Sequence, residues 1–154
     1  MKLTDINIQR QEFIYAAIHL LSNRLQIIGN KLDPTISEKQ WFVLAAVSKH
    51  TTPPSLSDIA NALGTSRQNI KKIASTLEKH GFLRMEKDKN DLRIIRLFLT
   101  EKCIIHLKSR EPKEDEYLSH IFTGIDETTL DILCSGMTKL MENIDNIVSS
   151  FDND

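Results

Sequence analysis

The order of structural elements is decided by residues 55–102, which read SLSDIANALGTSRQNIKKIASTLEKHGFLRMEKDKNDLRIIRLFLTEK. Ser55, followed three residues later by Asp58, predicts a helix N-terminus, because a hydroxyl there accepts a backbone N–H and a carboxylate favours the positive end of the helix dipole. Gly64 ends this helix, since glycine readily adopts the left-handed conformation at a helix C-terminus, and Ser66 begins the next helix. Two short helices joined by a tight glycine-containing turn predict a helix-turn-helix.

The second of these helices has two faces of different chemistry. Its inner face is apolar and consists of Ile70, Ile73, Ala74 and Leu77. Its outer face is polar and basic, and the residues that we predict to contact DNA there are Ser66, Arg67, Gln68, Asn69, Lys71, Lys72, Ser75 and Thr76. Arginine and lysine pair with the edge of guanine, and asparagine and glutamine pair with that of adenine. The outer face therefore predicts a helix that reads bases in the major groove.

The hydrophobic period changes after the second helix, which closes at Gly81. Residues 82–87 and 92–99 alternate in polarity and predict two strands, and the polar residues 88–91 predict the turn between them. A hairpin in this position is a wing. The residues that we predict to contact DNA from the wing are Lys87, Lys89, Asp91 and Arg93.

The N-terminal part of the chain carries a long apolar stripe. Between residues 9 and 29 the stripe recurs at spacings of four and three, and it consists of Ile14, Ile18, Leu21, Leu25 and Ile28. This pattern predicts one helix, buried on more than one side and ended by Gly29. Asp33-Pro34 predicts a break, because proline disfavours a helical residue before it, and residues 38–49 predict the following helix.

A second stripe lies at the C-terminal end, where steps of three and four alternate through Leu130, Leu133, Met137, Leu140, Ile144, Ile147 and Phe151. Such a heptad pattern predicts a helix that packs on a partner helix, while a stripe in the core of the same chain would show the same spacing. Before it, Thr100 and Glu101 begin a long helix, and Pro112 predicts a kink or a restart of that helix around residues 109–112.

The net charge of -1 conceals an uneven distribution along the chain. Residues 66–110 contain twelve Lys and Arg against five Asp and Glu, a net charge of +7. Residues 111–154 contain two against eleven, a net charge of -9. A basic central block beside an acidic tail indicates that the middle of the chain meets a polyanion and the tail does not.

Enzymatic and metal-dependent functions find little support in the sequence. The five histidines are dispersed, and none forms the His-x-x-x-His pair of a helix-borne metal site. The sequence shows neither a glycine-rich phosphate loop nor a Gly-x-Ser-x-Gly turn. We therefore predict no catalytic residues, no metal site and no cofactor.

The cysteines and the apolar stretches bear on redox chemistry and location. Only Lys102 lies close enough in sequence to lower the pKa of Cys103, so we predict buried structural thiols for Cys103 and Cys134, with redox sensing through Cys103 as the alternative. The N-terminus does not have the pattern of a signal peptide, and no apolar stretch approaches the ~20 residues of a membrane span. We therefore expect a cytoplasmic protein without a membrane partner.

Several motifs, in the same order, resemble the MarR family of bacterial transcription regulators. They are Leu56-Ser57-Asp58-Ile59-Ala60, Leu63-Gly64, Ser66, Leu77-Glu78-Lys79-His80-Gly81-Phe82, Asp91-Leu92-Arg93 and Leu99-Thr100-Glu101-Lys102. The resemblance covers about residues 37–110 without a gap. It departs from the family at Met85, where arginine is frequent, and at Cys103, where glycine is usual.

The resemblance implies a mostly α fold with a small β-hairpin wing (α+β), that is, a winged helix-turn-helix with N- and C-terminal dimerisation helices. Residues 35–109 would form the DNA-binding domain, and residues 1–34 with 110–154 the helical dimerisation region. The dimer interface would include Ile14, Ile18, Leu133, Leu140, Ile144, Ile147 and Phe151. The implied function is that of a transcriptional regulator, a repressor, which binds a pseudo-palindromic operator in double-stranded DNA as a homodimer and responds to a small lipophilic or aromatic ligand.

Asp91 and Arg93 match the Asp-x-Arg motif of the family. Residues two apart in a strand point to the same side, so the carboxylate can hold the guanidinium in a bidentate pair. Held in this way, Arg93 could enter the minor groove, where a narrow A·T-rich segment concentrates negative potential. A surface ion pair without function is the alternative.

Two other classes of function remain open beside the DNA-binding regulator. One is a winged-helix module that binds protein, and the other is an enzyme, for which no catalytic constellation is found. Gln68-Asn69 together with Lys71-Lys72 on an exposed face favours bases and phosphates over an apolar protein partner.

Overall fold

The computed structural model describes residues 9–151, which form six helices and one two-stranded sheet. The elements are α1 (Arg10–Leu32), α2 (Glu38–Ser48), α3 (Leu56–Ala62), α4 (Arg67–Lys79), β1 (Leu83–Lys87), β2 (Ile95–Leu99), α5 (Glu101–Ile121) and α6 (Glu127–Phe151). The chain divides into two compact units, one that runs to Glu111 and one that starts at Pro112. The functional division into residues 35–109 and the two flanking regions remains a prediction.

The hydrophobic core lies in the first unit. It is built where α2, α3 and α4 pack together and the hairpin closes over them. The buried apolar residues are Ile36, Val43, Leu44, Val47, Leu56, Ile59, Ala60, Ile70, Ala74, Leu77, Phe82, Leu83, Leu97 and Cys103. The predicted inner face of α4 is thereby confirmed for Ile70, Ala74 and Leu77, and Ile73 packs against the same core while partly exposed.

Local chemistry fixes the helix-turn-helix as predicted. The hydroxyl of Ser55 accepts the N–H of Asp58, whose carboxylate accepts the N–H of Ser55 in return, so α3 begins with a reciprocal cap. The hydroxyl of Ser66 accepts the N–H of Asn69 and caps α4. Gly64 and Gly81 end the two helices with φ of 59° and 76°, the left-handed conformation that favours glycine.

The hairpin is antiparallel, and its register pairs Leu83 with Leu99 at the base and Lys87 with Ile95 at the far end. The prediction that the second strand begins at residue 92 is wrong. The N–H of Ile94 donates to the carbonyl of Asp91 at 2.9 Å, which folds residues 91–94 into a turn. Arg93 therefore lies in the turn of the wing and not in a strand.

The prediction for α1 needs two corrections. The helix continues past Gly29 to Leu32 and ends before Asp33-Pro34, as the proline requires. Gly29 is buried inside the helix, at a point where an added Cβ would overlap the carboxylate of Glu38 at the start of α2. The apolar stripe is also largely exposed in the isolated chain, and Gly29 is the only residue of α1 that is buried.

The two C-terminal helices complete the described chain. α5 is unbroken from Glu101 to Ile121 with Pro112 inside it, so the helix does not restart there, and the kink that was the other expectation stays a prediction. α6 includes the heptad stripe from Leu130 to Phe151, as predicted, and none of its residues is buried.

Candidate nucleic-acid interface

The outer face of α4 places the predicted base-reading residues together. Ser66, Arg67, Gln68, Asn69, Lys71 and Lys72 are exposed, whereas Ser75 and Thr76 are half-buried at its margin. A shallow depression follows this face and is lined by Ser66, Gln68, Asn69, Lys71, Lys72, Ser75, Thr76 and Lys79. The first turn of α4 contains no acidic residue, so its positive end is free to attract an anion.

Besides Ser66, whose hydroxyl caps α4, three of these side chains also bond within the chain. The amide nitrogen of Asn69 donates to the hydroxyl of Thr65 at 3.0 Å, which orients its side chain in the turn of the helix-turn-helix. Thr76 donates its hydroxyl to the carbonyl of Lys72 at 3.2 Å. The guanidinium of Arg67 reaches the carbonyl of Arg93 at 3.5 Å, and so connects the start of α4 to the wing.

At the wing, Asp91 holds Arg93 by two parallel bonds. The Nε atom of Arg93 donates to Oδ1 at 2.9 Å and Nη2 donates to Oδ2 at 2.8 Å, which is the predicted bidentate pair. Oδ1 also accepts the backbone N–H of Arg93 at 3.0 Å, so a turn and not a strand alternation brings the two together. These bonds lower the pKa of Asp91 and raise the pKa of Arg93.

The pair leaves the guanidinium facing solvent. The side chain of Arg93 is 90% exposed, and Lys87 and Lys89 are exposed beside it. Fixing the charge without burying it leaves the arginine oriented and still able to meet a polyanion.

A second carboxylate–arginine pair at the wing was missed by sequence reasoning. Arg96 on β2 donates Nε to Oδ2 of Asp88 at 2.7 Å and Nη1 to the carbonyl of Pro53 at 3.3 Å. Its Nη1 also lies 3.9 Å from Oδ2 of Asp58, the capping residue of α3. The only signal in the sequence was the polar character of residue 88 in the predicted turn.

The helix-turn-helix and the wing share further contacts. Glu78 accepts the N–H of Met85 at 2.7 Å and so satisfies an N–H of β1 that the other strand does not pair. At the end of α4, Lys102 donates to the carbonyl of His80 at 2.7 Å and lies over the ring of Phe82, 4.7 Å from its centroid. The motif glutamate and the lysine after the Leu-Thr exit thus have structural roles.

A buried charge cluster was also missed by sequence reasoning. Asp33 and Arg110 are only 6% and 5% exposed, and Nη1 of Arg110 lies 3.3 Å from Oδ2 of Asp33. The same oxygen lies 2.7 Å from Nε2 of His106, and Nη2 of Arg110 lies 3.4 Å from Oε2 of Glu38. Burial opposes ionisation of Asp33, but the bonds from His106 and from the N–H of Thr35 outweigh it and lower its pKa.

The two cysteines differ in their surroundings. Cys103 is buried, as predicted, and burial raises its pKa to about 11, which disfavours the reactive thiolate. Cys134 is exposed on α6, so its predicted burial is wrong for the isolated chain. Among residues 9–151, His, Cys, Asp and Glu form no group of three or more that could hold a metal ion.

The residues predicted to form the dimer interface lie mostly on the surface of the chain. Ile14, Leu133, Leu140, Ile144, Ile147 and Phe151 are exposed and Ile18 is half-buried. None of the helices within residues 9–151 is both long enough and apolar enough to pass through a bilayer.

Comparison with known proteins identifies the winged region. The model of the MarR family matches residues 36–95, from the loop before α2 to the start of β2. The chain contains a MarR family domain. The predicted fold class, mostly α with a β-hairpin wing, is confirmed by solved structures of this family.

One curated relative shows the likeness at the level of sequence. The chain is 32% identical to the transcriptional repressor MprA of Escherichia coli K12 over 104 residues, which are 68% of this chain and 58% of MprA. The chain thus spans less than two thirds of the length of the curated relatives it matches.

The solved structures extend the likeness beyond the MarR family domain. MepR, in its S. aureus DNA complex, has a TM-score of 0.77 at 19% identity, covering 84% of this chain and 96% of MepR. BpsR of Bordetella bronchiseptica, whose DNA binding is regulated by 6-hydroxynicotinic acid, has a TM-score of 0.75 at 17% identity, covering 88% of this chain and 98% of BpsR. At these identities the likeness shows the fold.

Proposed function

We propose that this protein is a cytoplasmic transcriptional regulator, a repressor, that binds a pseudo-palindromic operator in duplex DNA as a homodimer. The observation that carries the proposal is the pairing of the exposed basic face of α4 with the fixed but solvent-facing guanidinium of Arg93. The helix offers donors and acceptors for base edges, and the wing offers a cation for the adjacent groove. The name of the repressor MprA and the DNA complex of MepR support the same function.

The residues of α4 would divide into two roles. Gln68 and Asn69 lie in its first turn, and the N-terminal residues of a recognition helix contact base edges in helix-turn-helix complexes. Lys71 and Lys72 lie one turn further along the same exposed face. A flexible ammonium supplies a point charge to phosphate, so this pair would add affinity for every sequence.

The homodimer would be formed by the exposed stripes of α1 and α6. Large contiguous apolar surfaces on a monomer mark interaction sites, and the heptad spacing of α6 fits a second helix. A two-fold dimer places two recognition helices about one helical turn of DNA apart. We further propose that a small lipophilic or aromatic ligand changes the affinity for DNA, which is supported by the regulation of BpsR by 6-hydroxynicotinic acid.

Selection from a random pool of duplexes tests the function. We expect recovery of two inverted half-sites whose centres are about 10 base pairs apart. Recovery of a single half-site, or of no preferred sequence, would contradict the proposal.

The selected duplex then separates the two roles on α4. Gln68→Ala and Asn69→Ala should relax preference at particular base pairs by about 1–3 kcal/mol. Lys71→Ala and Lys72→Ala should weaken binding to all sequences and reduce the salt slope by about one unit each. Lys108→Ala, which removes the same charge from an exposed site on α5, serves as the control and should change neither quantity. If all four α4 variants changed only the salt slope, the base-reading role would be wrong.

A further inference from the structure

The inference concerns Arg96, which bonds to two parts of the first unit at once. Its Nε atom donates to Asp88 in the turn of the wing at 2.7 Å. Its Nη1 atom donates to the carbonyl of Pro53, in the loop that precedes α3, at 3.3 Å. The same Nη1 atom lies 3.9 Å from the carboxylate of Asp58, which caps α3. One guanidinium, 33% exposed, thus joins the wing to the first helix of the helix-turn-helix.

Asp88, the partner of Arg96, organises the turn of the wing. Its Oδ1 atom accepts the N–H of Asn90 at 2.8 Å and that of Asp91 at 3.2 Å. Its Oδ2 atom accepts from Arg96, and this bond is the main reason that the pKa of Asp88 is lowered. A contact that fixes the position of Asp88 therefore also fixes the backbone at Asp91, whose carboxylate binds the guanidinium of Arg93.

The wing needs such an anchor because its strands are short. Each strand has five residues, and the ladder ends at Lys87 and Ile95. A two-stranded hairpin is at best marginally stable alone. Beyond the ladder, the N–H of Asp88 still donates to the carbonyl of Ile94 at 2.9 Å, and residues 89–93 then form the tip of the turn. The link from Arg67 to the carbonyl of Arg93 is long, at 3.5 Å. Arg96 makes the shortest side-chain bond between the strands and the turn.

We propose that Arg96 is a positioning residue, which fixes the wing against the helix-turn-helix and so orients Arg93 toward the minor groove. This inference rests on the proposed DNA binding. Arg96 acts through Asp88 and the turn, whereas Arg93 meets the DNA. The base of the hairpin does not depend on the side chain of Arg96, since the N–H of Leu97 donates to the carbonyl of Pro54 at 2.9 Å.

The test is a double-mutant cycle on the duplex selected by the wild-type protein. Arg96→Met keeps the length of the side chain and removes its bonds, and it should weaken binding about tenfold. In an Arg93→Ala background the same change should weaken binding less than twofold, because the residue that Arg96 positions is already absent. An equal loss in both backgrounds would show that Arg96 contacts the DNA itself and would overturn the inference.

Matched variants separate positioning from the loss of a charge. Arg84→Met removes an arginine from β1 whose ion pair with Glu86 stays within one strand, and it should leave the affinity within twofold. Arg96→Lys should restore part of the affinity, since an ammonium can pair with Asp88 but lacks the planar fork that also reaches Pro53. If Arg84→Met lost as much affinity for DNA as Arg96→Met, the effect would come from the lost positive charge alone, and the inference would be overturned.

Amide hydrogen exchange in the DNA-free protein gives an independent readout. In Arg96→Met, exchange of the Asn90 and Asp91 amides should accelerate at least tenfold, while that of Leu77 in the core stays unchanged. Unchanged exchange at Asn90 and Asp91 would overturn the inference even if the affinity fell.

Two further outcomes are covered by the same design. If Arg96→Met does not fold, Asp88→Asn serves in its place, because it weakens the ion pair and keeps an oxygen for the turn. If the wild-type protein selects no duplex, the proposed function fails, and the exchange experiment still decides whether Arg96 holds the wing.

Discussion

Two helices of this chain, α4 and α6, have regular apolar stripes, but the stripe of α4 is buried and that of α6 is exposed. Ile70, Ala74 and Leu77 on α4 are fully buried within the first unit. The stripe residues of α6 from Leu133 to Phe151 are 36% to 73% exposed. The periodicity is equally regular in both, so periodicity predicts the helix and does not tell what covers it. The core of the first unit covers the stripe of α4, whereas the stripes of α1 and α6 stay largely exposed in the isolated chain.

The largest effect on stability is expected from a substitution among the buried charges of the first unit. Asp33→Asn removes a charge that Arg110, itself buried, pairs with at 3.3 Å. Breaking a buried pair on one side costs about 3–5 kcal/mol, and we expect the free energy of unfolding to fall by that amount in urea denaturation. The loss should not depend on protein concentration, because both partners belong to one chain. Asp131→Asn, an exposed carboxylate on α6, should change stability by less than about 0.5 kcal/mol.

The same substitution predicts a change in acid stability. Because the pKa of Asp33 is lowered in the folded protein, its contribution is present above pH ~4 and is lost as the pH falls through the lowered value. Stability of Asp33→Asn should therefore decline less between pH 5 and 3 than that of the wild type. An unchanged slope would show that Asp33 is not preferentially ionised in the folded state.

The second test concerns the stripe of α6. Leu140→Asp with Ile144→Asp places two charges in the proposed interface, and loss of two apolar contacts of about 1.5–3 kcal/mol each should weaken the dimer at least 100-fold. Sedimentation equilibrium should then give the 17.6 kDa monomer at micromolar concentration. Ser135→Asp, on the opposite face of the heptad, should leave the dimer intact. A wild-type protein that is already monomeric would contradict the proposal that the stripe of α6 packs on a second copy of the chain.

A smaller effect distinguishes the glycines of the two regions. Gly136 on α6 has open space around an added Cβ, so Gly136→Ala should raise the free energy of unfolding by about 0.5–1 kcal/mol. Gly29→Ala should fail to stabilise, because its Cβ would displace the carboxylate of Glu38 that pairs with Arg110. Thermal unfolding of the two variants measures the difference. Equal stabilisation of both would mean that α1 and α2 do not approach closely at Gly29.

What sequence reasoning found and missed follows from the range of each interaction. The caps at Ser55 and Ser66 and the turns at Gly64 and Gly81 depend on residues at most five positions apart, so spacing alone predicts them. The outer face of α4 was predicted for the same reason. The second strand was predicted to begin three residues too early, at residue 92 instead of Ile95, because alternation in polarity does not show where a turn takes over the hydrogen bonds.

The missed charge pairs depend mainly on contacts between distant parts of the chain. Asp33 meets His106 and Arg110 across 73 and 77 residues, and Arg96 meets Pro53 across 43. No local pattern marks such pairs. Gly29 was predicted to end its helix because glycine does so often, whereas its place here is set by the approach of Glu38.

The central claim, that the face of α4 and the wing bind DNA together, is tested most directly by fluorescence anisotropy of the selected operator duplex with Arg93→Ala. We predict a loss of affinity of tenfold or more with an unchanged melting temperature and an intact dimer, since the side chain of Arg93 is 90% exposed and supports no part of the core. Arg93→Lys should restore affinity in part, and Asp91→Ala should cost less than Arg93→Ala because it loosens the arginine without removing it. Wild-type affinity for Arg93→Ala would contradict the account, because the wing would then take no part in binding DNA.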